Sequence, residues 1–217
     1  MSRRDTRRPK TLAKALAFNV LFGAFLLLPA SAANWFELRS PQARPDVNMV
    51  EDQPGRVPTS DDEQLPEQYQ KQLVFFRTTE KPGTIIVNTP ERFLFLVLGN
   101  NRAIRYGIGV GREGFQWHGL KYINRKAEWP DWVPPPEMIA RQPYLPRFMA
   151  GGPGNPLGAR ALYIAGTVYR IHGTNQPETI GSAVSSGCFR LTNPDVIDLY
   201  ERVPVGTRVV VLQAPKL

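Results

Sequence analysis

Arg92-Phe93-Leu94-Phe95-Leu96-Val97-Leu98-Gly99-Asn100-Asn101-Arg102-Ala103-Ile104-Arg105-Tyr106-Gly107-Ile108-Gly109-Val110 reads as two strands and the turn that joins them. The apolar run before Gly99 is short, β-branched and aromatic. Gly99-Asn100-Asn101 supplies residues that accept the left-handed backbone of a tight turn. Working outward, the same grammar repeats. Leu73-Val74-Phe75-Phe76 precedes the turn Lys81-Pro82-Gly83, and Thr84-Ile85-Ile86-Val87 precedes Asn88-Thr89-Pro90. Later strands are expected at 161–165, 168–172 and 207–213. One helix is expected over Pro194 to Arg202, with Asn193 as its N-cap and Pro194 in the first turn.

Strands at this spacing, in a chain with 18 Gly and 21 Pro, predict a mainly β fold. The expected architecture is a single β-sandwich or barrel-like domain of mixed sheets with one or two short helices, over residues 72–215. The stretch 129–156, with Trp129-Pro130-Asp131-Trp132 and Gly151-Gly152-Pro153-Gly154, is expected to hold little regular structure and to act as a functional loop or lid. Residues 33–71 are rich in Pro and polar side chains and read as a linker or loosely ordered arm.

The N-terminus sets the compartment. Arg3, Arg4, Arg7, Arg8, Lys10 and Lys14 face only Asp5, and an uncharged apolar run follows from Ala15 to Ala30. Ala30-Ser31-Ala32-Ala33 then offers small residues at signal-peptidase spacing. Residues 1–32 read as a signal peptide cleaved after about Ala32, with a retained N-terminal membrane anchor as the alternative. Either way the remaining chain is expected outside the cytoplasm, in the periplasm or cell envelope. Five of the eight net positive charges lie in the first fourteen residues, so only three remain for the rest. That balance, without a basic block, argues against nucleic-acid binding.

Export gives weight to Cys188, the only cysteine, because a lone thiol cannot form an internal disulfide. It lies in Ser185-Ser186-Gly187-Cys188-Phe189-Arg190-Leu191, sixteen residues after His172 in Tyr169-Arg170-Ile171-His172-Gly173-Thr174. A thiol nucleophile needs a base, a group that orients the base and donors for the developing oxyanion. His172 supplies the base, Gly187 allows close backbone approach to a substrate, and amides near Cys188 are candidate donors. Arg190 falls on the same side as Cys188 in an extended segment, and its fork suits a carboxylate. The plainer alternative makes Cys188 a small buried hydrophobe and His172 an interior histidine. His118 is read as a surface residue. Trp129 and Trp132 serve equally as a cleft wall or as a packed loop.

Ile171-His172-Gly173-Thr174 and Ser185-Ser186-Gly187-Cys188-Phe189-Arg190-Leu191-Thr192-Asn193 resemble the YkuD-type L,D-transpeptidase catalytic domain. Its pattern is His-Gly-Thr followed by Ser-His-Gly-Cys-aliphatic-Arg. Tyr106 to Gly111 and Asn155 to Leu162 fit as well, and the similarity runs over about residues 72–213. The resemblance implies a cysteine acyltransferase acting on peptidoglycan stem peptides without metal or organic cofactor. Cys188 would form a thioester with release of D-Ala. An amine from another stem, or from an envelope protein, would then resolve it. The resemblance also makes His172 the base, the Gly173 carbonyl its orienting partner, and Arg190 a substrate contact. Ser185, Ser186 and Gly187 complete the substrate side, and carbapenem-type inhibitors would acylate the thiol. Ser186 stands where the pattern has a second histidine. Two alternatives stay open: an L,D-carboxypeptidase or cross-link hydrolase on the same fold, and a non-catalytic wall-binding module.

Overall fold

In the computed structural model, residues 52–60 and 64–213 are described. The leader and its cleavage point lie outside them, as does most of the arm. No helix among the described residues is long and apolar enough to cross a membrane. The strands are β1 (Gln72–Phe75), β2 (Ile85–Asn88), β3 (Phe93–Gly99), β4 (Arg102–Gly107), β5 (Val110–Gly111), β6 (Gly119–Glu128), β7 (Arg160–Ile164), β8 (Arg170–His172), β9 (Ala183–Ser185), β10 (Phe189–Arg190) and β11 (Arg208–Leu212). Two helices accompany them, α1 (Pro136–Arg141) and α2 (Asn193–Arg202).

The fold is mainly β, as expected. Nine strands form one mixed sheet in the order β1-β4-β3-β2-β11-β6-β7-β8-β10, and β5 pairs with β9. The β3–β4 hairpin forms at the quoted stretch. Gly99, Asn100 and Asn101 all take positive φ, the conformation for which asparagine and glycine are suited.

The sheet wraps around a shared main core rather than lying flat. Ile85, Leu94 and Val209 from one half share an apolar cluster with Leu162, Ile171 and Phe189 from the other. β6 belongs to both halves, pairing with β11 along its first part and β7 along its second, with a register irregularity between Ile123 and Arg125. A strand that passes between two packed layers bends in this way. Strands β2 and β3 are buried on both faces because a second cluster, including Tyr69, Phe93 and Phe95, covers their far side.

The structure corrects several sequence expectations. β6 is the longest strand, yet it escaped notice because Lys121, Asn124, Arg125, Lys126 and Glu128 dilute its apolar signal. Residues 103–110 do not form one strand. Pairing with β3 ends at Gly107, and Gly109 instead bridges Arg190. The N-cap of α2 is Thr192, whose side chain accepts from the Asp195 amide. Asn193 is spent elsewhere, accepting from Ala159 N at 2.8 Å. At the other end of α2, Lys126 donates to the Tyr200 and Val203 carbonyls at 2.5 and 2.8 Å, placing a cation where orphan carbonyls collect.

The stretch 129–156 is also more ordered than expected. It contains α1, a Trp132–Met149 bridge and a small core of Trp132, Leu145 and Leu157. Asn155 ties it together. Its fully buried amide donates toward the carbonyls of Pro130, Met149 and Ala150, and its Oδ1 accepts from Leu157 N. Asn155→Ala is therefore expected to lower the unfolding free energy in urea by about 3 kcal/mol, with a fall in the melting temperature, because it strands several buried polar groups at ~1 kcal/mol each.

Candidate active site

Two short parallel strands build the site. β8 and β10 pair with Ile171 opposite Phe189 and His172 opposite Arg190. Ile171 and Phe189 point into the core and are essentially inaccessible. Side chains alternate along a strand, so Arg170 and His172 must share the opposite face with Cys188 and Arg190. One step back along the register puts Cys188 level with Arg170 and diagonal to His172. β10 is held on its other side by the two backbone hydrogen bonds between Gly109 and Arg190, each 2.9 Å.

These four side chains open into one cleft of about 510 Å³, its mouth included. Trp132, Met138 and Leu157 from the ordered 129–157 region give it an apolar wall. Trp129 does not line this wall and is exposed. His118 is exposed too, as expected.

His172 is held by the chain next to it. Its Nδ1 lies 2.5 Å from the Gly173 carbonyl, which can only accept, so Nδ1 carries the proton and Nε2 has the lone pair. Gly173 has no room for a side chain, since a Cβ would overlap Asn193 Oδ1 and crowd Ala159 N. The Asn193 oxygen thus packs against the turn that orients the histidine. Burial pushes the imidazole pKa from its ordinary value down to about 3, helped by the charges of Arg190 and Arg170; backbone contacts with Gly173 and Leu157 oppose the shift only in part. The ring is a neutral base throughout the physiological range.

Cys188 keeps partial exposure toward the cleft. Its dense surroundings nevertheless push the thiol pKa up, while Arg170 and then Arg190 pull it back. With the thiol raised and the imidazole lowered, the resting pair is neutral.

The loop before Cys188 is braced from within. Ser185 Oγ donates to the Cys188 carbonyl at 2.6 Å and accepts from Gly187 N at 3.2 Å. Trp117 Nε1 donates to the Gly187 carbonyl at 3.0 Å and stacks on Tyr169. Gly187 takes φ +104°, and a Cβ there would overlap the Tyr169 ring. Its close approach is therefore to Tyr169, not to the cleft, and its amide is occupied by Ser185. Ser186 does line the cleft and accepts from Arg141 Nη2 of α1 at 3.3 Å.

Two charged cleft residues were missed in the sequence. Arg170 precedes His172 by two positions in an expected strand, a spacing that would have revealed it. Asp52 had no such signal. It lies in the arm, yet its carboxylate accepts from Arg190 Nη2 at 2.5 Å, with both side chains largely buried. The described part of the arm is docked rather than free. Asn175 Nδ2 reaches the Gln53 and Arg56 carbonyls, Gly55 N donates to the Gly154 carbonyl at 2.9 Å, and Arg56 pairs with Glu178.

Comparison with known proteins shows what this chain is similar to. The family model described as "YkuD: L,D-transpeptidase catalytic domain" matches residues 82–211. The Escherichia coli (strain K12) protein named "Probable L,D-transpeptidase ErfK/SrfK" is 38% identical over 179 residues, which cover 77% of this chain and 56% of the relative. "Probable L,D-transpeptidase YbiS" of the same strain is 39% identical over 153 residues, covering 66% of this chain and 49% of the relative. This chain spans about half the length of those curated relatives. Among solved structures, the Ldtfm–avibactam carbamoyl enzyme aligns with a TM-score of 0.50 at 19% identity, over 62% of this chain and 50% of the other, a likeness of fold.

The lowered His172 pKa has a consequence for stability. An unfolded chain binds a proton at this imidazole below about pH 6.5, whereas the folded chain does so only near pH 3. Folding stability from this residue is therefore complete above pH 6.5 and is lost as pH falls toward 3. Between pH 6.5 and 5, before most carboxylates titrate, denaturant unfolding should show the native chain losing about 1.5 kcal/mol more than His172→Gln.

Proposed function

Because the chain belongs to the YkuD family of L,D-transpeptidase catalytic domains, we propose that it is an exported peptidoglycan L,D-transpeptidase in which Cys188 is the acylated nucleophile. The observation that carries this reading is a cleft holding Cys188 beside a neutral histidine whose Nδ1–H is fixed on the Gly173 carbonyl.

Cys188 Sγ attacks the carbonyl between the third residue of a stem tetrapeptide and its terminal D-Ala, and the thiol proton passes to His172 Nε2. The tetrahedral intermediate expels the D-Ala amine, which takes that proton, and a thioester remains. An acceptor amine then attacks the thioester, loses its proton to Nε2, and releases the sulfur, which is reprotonated. The product is a 3→3 cross-link, or an envelope protein anchored to the wall. Arg190 offers a guanidinium to a substrate carboxylate, and Ser186 is a polar contact at the cleft edge. The apolar wall of Trp132, Met138 and Leu157 limits water access to the thioester, which favours transfer over hydrolysis. Residues 1–32 act as the export signal, and the periplasm or cell envelope is the site of action.

Incubation with a disaccharide-tetrapeptide, followed by mass analysis, should yield free D-Ala and a cross-linked dimer. Shortened tripeptide with no dimer would identify a hydrolase instead. A carbapenem should add covalently to the intact chain and not to Cys188→Ala. His172→Ala should slow acylation at least a hundredfold while Ser186→Ala slows it only severalfold. A chain that stays unmodified would mark a non-catalytic module.

A further inference from the structure

Arg170 is a charged residue in the cleft to which the acyl transfer gives no task. It stands beside Cys188 across the β8–β10 pair, on the face shared with His172 and Arg190. Among the described residues no carboxylate pairs with it; its Nε is buried without a partner, and its side chain reaches the Cys188 thiol as a hydrogen-bond donor. Its Cζ also lies 5.6 Å from the Tyr163 ring, which steadies the guanidinium without neutralising it. An unpaired buried Nε costs solvation free energy, which an anion accepting from it would offset.

Ser186 supplies the context. Where the family pattern has a second histidine beside the nucleophile, this chain has a hydroxyl already engaged by Arg141. The geometry points to Arg170 as a catalytic residue whose guanidinium holds the sulfur's negative charge as Cys188 gives up its proton. This inference rests on Cys188 being the nucleophile. The anion that Arg170 lacks at rest is then the thiolate, formed on proton transfer to His172 and regenerated when the thioester is resolved. The direction of the thiol's pKa agrees: the Arg170 charge and backbone amide are the leading influences that lower it against burial. The other charged or titratable groups of the cleft include His172 on β8, Arg190 on β10 and Asp52 on the arm, while Arg141 on α1 reaches its edge through Ser186. Of the two strand arginines, Arg190 is paired, with Asp52.

The test measures the thiol directly. Iodoacetamide alkylation of Cys188, followed by intact mass from pH 6 to 10, yields its apparent pKa whatever the natural substrate is. Arg170→Gln should raise that pKa by a unit or more and slow alkylation at pH 7.5 about tenfold, whereas Arg170→Lys should recover most of the loss. Circular dichroism and melting temperature establish that both variants fold. An unchanged alkylation profile in folded Arg170→Gln would overturn the proposal, and with a raised KM for the tetrapeptide it would make Arg170 a substrate contact instead. Loss of D-Ala release with a normal alkylation profile in the native chain would count against the transpeptidase reading alone.

A separate observation concerns Asp52. Arg190 gives it one Nη2 bond, while Nε and Nη1 are buried without partners, so the guanidinium fork is only half used. Asn175 and Glu178 anchor the arm independently of this pair. We infer that Asp52 competes with the substrate carboxylate for Arg190, which a bidentate ligand would satisfy more fully. Asp52→Asn should lower KM for the tetrapeptide severalfold with little change in kcat, and Asp52→Glu should resemble the native chain. A raised or unchanged KM in a folded Asp52→Asn variant would overturn the inference.

Discussion

The parallel register between β8 and β10 is the constraint on which the site depends. It contains only two residue pairs, yet it sorts six side chains at once. Ile171 and Phe189 are driven into the core, where they are almost wholly buried. Their neighbours in sequence must then face the cleft. A slip of one residue would exchange the two sets, burying a thiol and charged groups where aliphatic packing is required. The hydrophobic pressure on Ile171 and Phe189 is thus also what aims His172 and Cys188.

Electrostatics then separates the roles of those four residues. Burial disfavours charge on both His172 and Cys188, so the pair rests neutral and the imidazole stays basic in form. The two arginines contribute in opposite senses, depressing the histidine while easing formation of the thiolate. Among the described residues no carboxylate is paired with Arg170, so its positive field is left to act on the sulfur. Arg190 differs because the arm supplies Asp52 to it.

Much of this was legible in the chain. The turn at Gly99-Asn100-Asn101, the strand around Ile171 and the helix after Pro194 follow from local conformational preference and apolar alternation, and all three form. The motif around Cys188 and His172 was readable because few residue types perform thiol chemistry. β6 was hidden for the opposite reason: much of it faces solvent, so its residues need not be apolar. The helix cap was misassigned by one position, because Asn193 and Thr192 are both good caps and only the turn at Gly158 and Gly173 determines which side chain is used elsewhere.

The sequence by itself determined the chemistry on offer and the mainly β fold, since these rest on residue type, turn propensity and short-range periodicity. Tertiary structure decided which groups meet. The Arg170–Cys188 adjacency arises from strand pairing, the Asp52–Arg190 pair joins residues 138 positions apart, and Asn155 organises the 129–157 region through carbonyls that no local pattern predicts. Interactions of that kind depend on long-range packing, and a linear pattern carries no trace of them until the chain is folded.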